Sequence, residues 1–434
     1  MCKKDGKFKA TALSAEITFG AWLRVLAAPV ASDGKDTVTT AGNSWGWGAR
    51  SARLNVSGKS EDGTAGFNMG IYNDAFKKSI SDGDEANLWI KPHDMVKVSY
   101  GYYDNTTLRG DCCYGSWNWM RPVSSWIAED EGLLMSGLSG KALGLLGEIT
   151  PMENLYIQAF APIATENKAD DTYKKLRAGF AYTIPGTAKI KAQYIGNGVG
   201  SKDVAAVPAG NGPDTDNVVG YLADGTKVYG GKATEAKAAY TEDGNSNCTL
   251  EAEVDLLAVE NLFLGVGFQY KNVKDGKDLA DKAITEAKNE KDAIDAAGKY
   301  QNMKVALGAS YQINEDLKVS ASGAFFTYYS DKAKVDPRFQ AGAGVDYNLG
   351  DGLSANADFR YLSPVKADGK KADNTDHIAF SAGVQKGFSN GYIGVAFQGQ
   401  TNGGNFATGD GAGVTGKEAD KFTWAIPVAL SVWF

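Results

Sequence analysis

The chain ends Thr423-Trp424-Ala425-Ile426-Pro427-Val428-Ala429-Leu430-Ser431-Val432-Trp433-Phe434. Trp424, Ile426, Val428, Leu430, Val432 and Phe434 share one parity, and Ala425, Pro427, Ala429 and Ser431 share the other. Successive side chains of a strand point to opposite faces, so this stretch reads as a β-strand with one apolar face. At about 11 residues it is long enough to cross a hydrocarbon core at a tilt of ~45°.

The pattern recurs along the chain. Ile17, Phe19, Ala21, Leu23 and Val25 alternate with Glu16, Thr18, Gly20, Trp22 and Arg24. Val96, Val98, Tyr100 and Tyr102 alternate with Lys97, Ser99 and Gly101, and Leu250, Ala252, Val254 and Leu256 with Glu251, Glu253 and Asp255. Phe339, Ala341, Ala343, Val345 and Tyr347 repeat it. Any one such strand also fits a soluble sandwich. Tyr100, Tyr102, Tyr182, Tyr270, Tyr311, Tyr347 and Tyr361, however, sit at segment ends, where an aromatic girdle meets a membrane interface.

Short turns such as Ile184-Pro185-Gly186-Thr187 and Asn348-Leu349-Gly350-Asp351-Gly352 join strands in pairs, a hairpin repeat of roughly 40–60 residues. Long polar connections lie at 29–45, 105–140, 198–247 and 272–300. Short turns on one side and long loops on the other are how membrane barrels distribute their connections. The expected fold is all-β, a closed transmembrane antiparallel barrel of 18 strands, or 16 if the segments at 86–91 and 142–149 merge or vanish. Residues 15–434 form this one domain, and 1–14 read as a periplasmic N-terminal extension.

Composition narrows the function. Glycine is abundant, 53 of 434 residues, against a usual ~7%. No run approaches the ~18 apolar residues of a membrane helix. A net charge of −7 without a long basic run excludes nucleic acid as the main partner. Two histidines and four cysteines without metal-ligand spacing imply no metal and no cofactor. The opening Met1-Cys2-Lys3-Lys4-Asp5-Gly6 carries no secretory core, so the sequence reads as a mature form or as an unexported chain.

With its apolar alternation and terminal Phe434, the last strand resembles the C-terminal signal of bacterial outer-membrane barrels, and the resemblance to outer-membrane porins extends over nearly the whole chain. The hairpin Ala86–Gly101, with Trp89-Ile90-Lys91-Pro92, resembles one in porins of spirochaetes, treponemes especially. The resemblance implies export to an outer membrane, contact with its lipid, and recognition of Phe434 by the barrel-assembly machinery. It also implies passage of ions or small polar solutes, in a chain of a kind that often forms homotrimers.

Phase assigns the interior. Trp22, Arg24, Arg53, Lys97, Arg177, Lys189, Lys191, Lys304, Lys318 and Arg360 point inward, as do the acids Glu16, Glu251, Glu253, Asp255, Asp346 and Asp358. Opposed walls of opposite sign would set a transverse field; otherwise these charges simply keep a wide lumen wet. The connection 105–140 holds Cys112, Cys113, Trp117, Trp119, Met120, Arg121 and Trp126, too many rings for an exposed loop. Folded inward, it would constrict the pore; alternatively its rings, with Arg121 and Trp22, would form a sugar-stacking track, or pack against other loops. Residues 277–297 read as a helix at the rim or a plug, and 198–247 as a mobile or variable loop.

The functions carried forward are passive diffusion through a porin, a loop-plugged barrel acting as an adhesin or structural protein, and a substrate-specific sugar channel. Catalysis finds no support: His93 lies in a short turn, His377 faces inward, and no G-x-S-x-G motif occurs.

Overall fold

The computed structural model describes all residues except 1, 5–6, 13–14, 43–49, 75–80, 104–107, 110–118, 121–132, 136–142, 164–168, 200–201, 205–209, 222–226, 235–239, 243–245, 274–300, 329–335, 368–369, 372, 403–406, 409–413 and 419. Alternating sequence becomes alternating structure. The staves are β1 (Ala15–Ser32), β2 (Arg50–Ser60), β3 (Ala65–Asp74), β4 (Ser81–His93), β5 (Val96–Tyr102) and β6 (Gly144–Met152). Next come β7 (Leu155–Ala161), β8 (Arg177–Ile184), β9 (Ala188–Val199), β10 (Ser246–Leu256), β11 (Leu262–Val273) and β12 (Gln301–Gln312). The circuit ends with β13 (Leu317–Tyr328), β14 (Arg338–Gly350), β15 (Leu353–Leu362), β16 (His377–Phe388), β17 (Gly391–Gln400) and β18, built from Thr423–Ala425 and Val428–Trp433.

Each stave pairs antiparallel with the next, and β18 returns to β1 with Trp22 opposite Trp433 and Ala27 opposite Val428. Phe434 completes the seam: its N–H donates to the Ala21 carbonyl at 2.8 Å and its carbonyl accepts from Ala21 N–H at 3.0 Å. The barrel is closed, antiparallel and eighteen-stranded. Closure gives every stave a neighbour on both sides, which matters in lipid, where an unsatisfied backbone group costs several kcal/mol.

Burial follows parity. Leu250 and Val254 are exposed outward while Glu251, Glu253 and Asp255, on the other parity, are buried. Phe19, Leu88, Val266, Leu307, Phe339, Ile393 and Leu430 continue the outward apolar face. Tyr100, Tyr102, Tyr182, Tyr311 and Tyr347 are exposed on it as well. Among the described residues no helix is long and apolar enough to cross a membrane, and α1 (Ala169–Lys174) is one short helix.

Eight connections are turns of two to five residues, and both chain ends lie on their side. Asn261 (φ 63°) and Gly352 (φ 74°) take the left-handed backbone that such turns require. At the turn after β2, the Asp62 carboxylate accepts from Ser60 Oγ (2.6 Å) and Thr64 N–H (3.0 Å). These bonds hold its pKa well below the ordinary carboxylate value, at about 2.

Three stretches outside the staves carry strand pairing that the sequence pattern did not reveal. The stretch 29–45 is largely ladder: β1 runs to Ser32, and Thr37–Gly42 pairs with Leu26–Ser32 above the end of β2. Within 198–247, Lys202–Val204 pairs with Tyr240–Glu242 and Gly210–Tyr221 with Lys227–Thr234. Val218, Tyr221, Val228 and Tyr229 are β-favouring residues spread thinly among glycines, which masked them. Residues 1–14, expected as an N-terminal extension, carry pairing of their own: Phe8–Ala12 pairs with Ala15–Phe19, taking the β1 edge beyond Phe434, and Cys2–Lys4 pairs with Lys7–Lys9. The proposed helix 277–297 lies outside the described residues.

Candidate functional site: the barrel interior

Opposite charges meet across neighbouring staves. Lys97 stands opposite Glu148 and its Nζ reaches a carboxylate oxygen at 2.8 Å. Lys189 is opposite Asp255, and Lys191 is opposite Glu253. The Lys191 ammonium lies 3.1 Å from Glu253 and 3.7 Å from Asp255, with both its own side chain and that of Glu253 fully buried. Glu251 accepts from Gln193 and from Gln269, the latter at 2.8 Å. Lys318 and Asp346 pair at 3.4 Å, and Glu16 is opposite Lys59.

This arrangement changes the field expected from the sequence. In an 18-membered ring β10 stands opposite β1, so its acids face Arg24 across the lumen. The same acids, however, lie beside Lys189 and Lys191 on β9 and near Arg177 on β8, whose guanidinium feels Glu251. A charge neutralised at 3–4 Å projects little field across a lumen, because contact attraction far exceeds attraction screened over ~10 Å of salt water.

On β1 to β3 the cations meet rings. The Arg24 guanidinium lies 4.1 Å from the Trp22 ring centre, and that of Arg53 5.3 Å from the Tyr72 ring. Trp22 and Tyr72 are 6.0 Å apart, and Arg53 Nη2 is 3.7 Å from Glu85. On β15, Arg360 and Asp358 share the inward face at 3.9 Å, both covered.

The long connection between β5 and β6 enters this interior. Trp119, 2% exposed, stacks on Tyr392 with ring centres 6.3 Å apart and 7° between planes. Its Nε1 donates to Gln385 (2.9 Å), and its carbonyl accepts from Gln398 Nε2 (2.8 Å). Leu133 packs against Ala306, Ala324 and Phe326 on β12 and β13. Leu108 and Met135 pack against Ala181 on β8, and the Arg109 carbonyl accepts from Lys191 Nζ at 3.2 Å. The described residues of this connection therefore touch the inner wall in three separate places.

Each place has a floor of glycine. A Cβ at Gly394 would stand 2.6 Å from the Trp119 ring, one at Gly383 2.9 Å from Met120 Sδ, and one at Gly179 2.7 Å from Leu108. At Gly265 and Gly267 it would collide with Leu133. Glycine on the inward parity removes the side chain that would keep a loop away from the wall, and part of the glycine excess is explained by this.

Trp119 is buried against Tyr392, Leu26 and Ala429 of the wall, so its ring is not an open surface for stacking a sugar. Trp117, Arg121, Cys112, Cys113 and Trp126 lie outside the described residues. His377 Nδ1 lies 3.2 Å from both the Thr401 carbonyl and the Gln400 amide. Sequence reasoning missed Tyr72, Tyr392, Gln385 and Gln398; the last three stand on inward parity in β16 and β17 and were readable as such.

Two solved structures share this architecture. One is the anion-selective porin of Comamonas acidovorans, 10% identical, with a TM-score of 0.51 over 97% of this chain and 100% of that one. The other is OccAB1 of Acinetobacter baumannii, 10% identical, with a TM-score of 0.51 over 97% of this chain and 96% of that one. The chain has the fold of these outer-membrane barrels. No family model matches it, and no curated protein matches it by sequence.

Proposed function

We propose that this protein is a porin of a bacterial outer membrane, a wet barrel through which ions and small polar solutes diffuse. The observation that carries this reading is the contrast between the faces: apolar and aromatic outside, charged and amide-bearing inside. The connection between β5 and β6, whose Trp119 and Leu133 contact the inner wall, is its proposed constriction. Eighteen staves enclose more space than their side chains fill. The short turns then face the periplasm and the long connections the exterior, with Phe434 as the assembly signal and trimerisation as the expected state. The Comamonas porin is named for anion selectivity. That preference is not carried over, because the wall charges here pair laterally.

No catalytic role is assigned to His377, which sits between a carbonyl and an amide. A second reading, a barrel plugged by its own connections and acting at the cell surface, draws on the complete burial of Lys191, Glu253 and Arg360. Planar-bilayer recording of the folded protein separates the two. Steady conductance steps are expected of the channel, and silence from folded protein would establish the plug.

A further inference from the structure

Four inward side chains from four consecutive staves form one row: Gln312 is opposite Lys318, Lys318 opposite Asp346, and Asp346 opposite Asn356. Neighbouring staves lie ~4.8 Å apart, so the row presents amide, ammonium, carboxylate and amide side by side. It lines a cavity of about 260 Å³ on the short-turn half of the lumen, with Ser354, Glu315 and Asp316 below and Met120 as its lid. The next residue in the row is Gly383, opposite Asn356, where the missing side chain admits Met120.

Asn356 marks this cavity as a binding site. It is 5% exposed, and among the described residues neither its Nδ2 nor its Oδ1 has a hydrogen-bond partner. A buried amide left unsatisfied costs about 1–3 kcal/mol per group, so the position calls for a ligand that both donates and accepts. A hydroxyl does both, and an amide can span two adjacent hydroxyls. Asp346 accepts from a third hydroxyl, and Lys318 and Gln312 donate to others. At about 260 Å³ the cavity has the room of one sugar ring. One cation against Asp346, Glu315 and Asp316 leaves the lining negative, which disfavours an anion.

We infer that this cavity is a subsite for a neutral polyhydroxylated solute of monosaccharide size, on the periplasmic side of the constriction. The inference deepens the channel reading and rests on it for the solute's route, but not for its binding. The test is therefore calorimetric titration of folded protein in detergent with D-glucose and with D-gluconate, alongside separate bilayer recording. Glucose is expected to bind, gluconate about tenfold or more weaker, and Asn356→Leu and Lys318→Gln each to weaken glucose about tenfold. Circular dichroism verifies that both variants are folded. Binding without conductance supports the subsite and overturns the channel reading. Conductance with no glucose binding, with equal gluconate binding, or with binding indifferent to both substitutions overturns the subsite.

Discussion

At Gly267 a methyl group would occupy the place of the Leu133 backbone carbonyl, so the inserted connection rests directly on main chain there. Overpacking a seated contact costs about 1–3 kcal/mol. The loop relieves that strain most readily by lifting, because the stave is held by ladders on both sides. Gly267→Val is accordingly expected to raise single-channel conductance and to add current fluctuations. Gly147→Val is the control. Its Cβ would point to the outward face and meet only the Ala159 carbonyl, at 3.9 Å, so wild-type conductance is expected. Conductance unchanged in both variants would show that the seat on Gly267 does not hold the constriction.

The elements of the seam are tied together above the membrane by three charges. Asp33 Oδ1, just past β1, accepts from Asp36 N–H at 2.7 Å and Lys35 N–H at 2.9 Å, and Oδ2 lies 2.7 Å from Lys417 Nζ in the last long connection. Lys417 also reaches Asp36 at 3.2 Å, and its N–H donates to the Asp33 carbonyl at 2.8 Å. The Asp36 N–H first, and then Lys417, hold the Asp33 carboxyl at about 2. A depressed pKa gives stability that is complete above the ordinary value near 3.8 and is lost as pH falls through about 2. Protease nicking of the 401–422 connection should therefore be unchanged from neutral pH down to pH 4, whereas Asp33→Asn should increase it at neutral pH. Equal nicking of wild type and variant at neutral pH would remove the clasp from the account. At this scale the sequence was most readable in the staves, because a strand facing lipid on one side and water on the other must alternate. The paired stretches inside 29–45 and 198–247 are rich in threonine and glycine, which blur an apolar–polar alternation. The seat of the inserted connection was hidden for a different reason: its floor is glycine, which marks a place by having no side chain.

For the whole molecule, the lateral pairing of wall charges implies a barrel that selects weakly between ions. A perfectly selective pore in a tenfold salt gradient would develop about 59 mV. If Lys97–Glu148, Lys191–Glu253 and Lys318–Asp346 each cancel locally, the wild-type reversal potential should stay well below that value. Cancellation also predicts the sign after a pair is broken. Glu148→Gln leaves the Lys97 ammonium facing the lumen and should move the reversal potential toward anion preference. Lys97→Gln leaves the carboxylate and should move it the other way by a similar amount, and the double substitution should restore the wild-type value. The pair is suited to the test because it is partly exposed, 35% for Lys97 and 16% for Glu148, so neither variant strands a fully buried charge. The shifts should shrink as salt rises, since ions screen exposed charges within ~10 Å at 0.1 M. A strongly one-sided wild-type potential, or two single variants shifting in the same direction, would mean that other charges set the field and that the ladder of pairs does not.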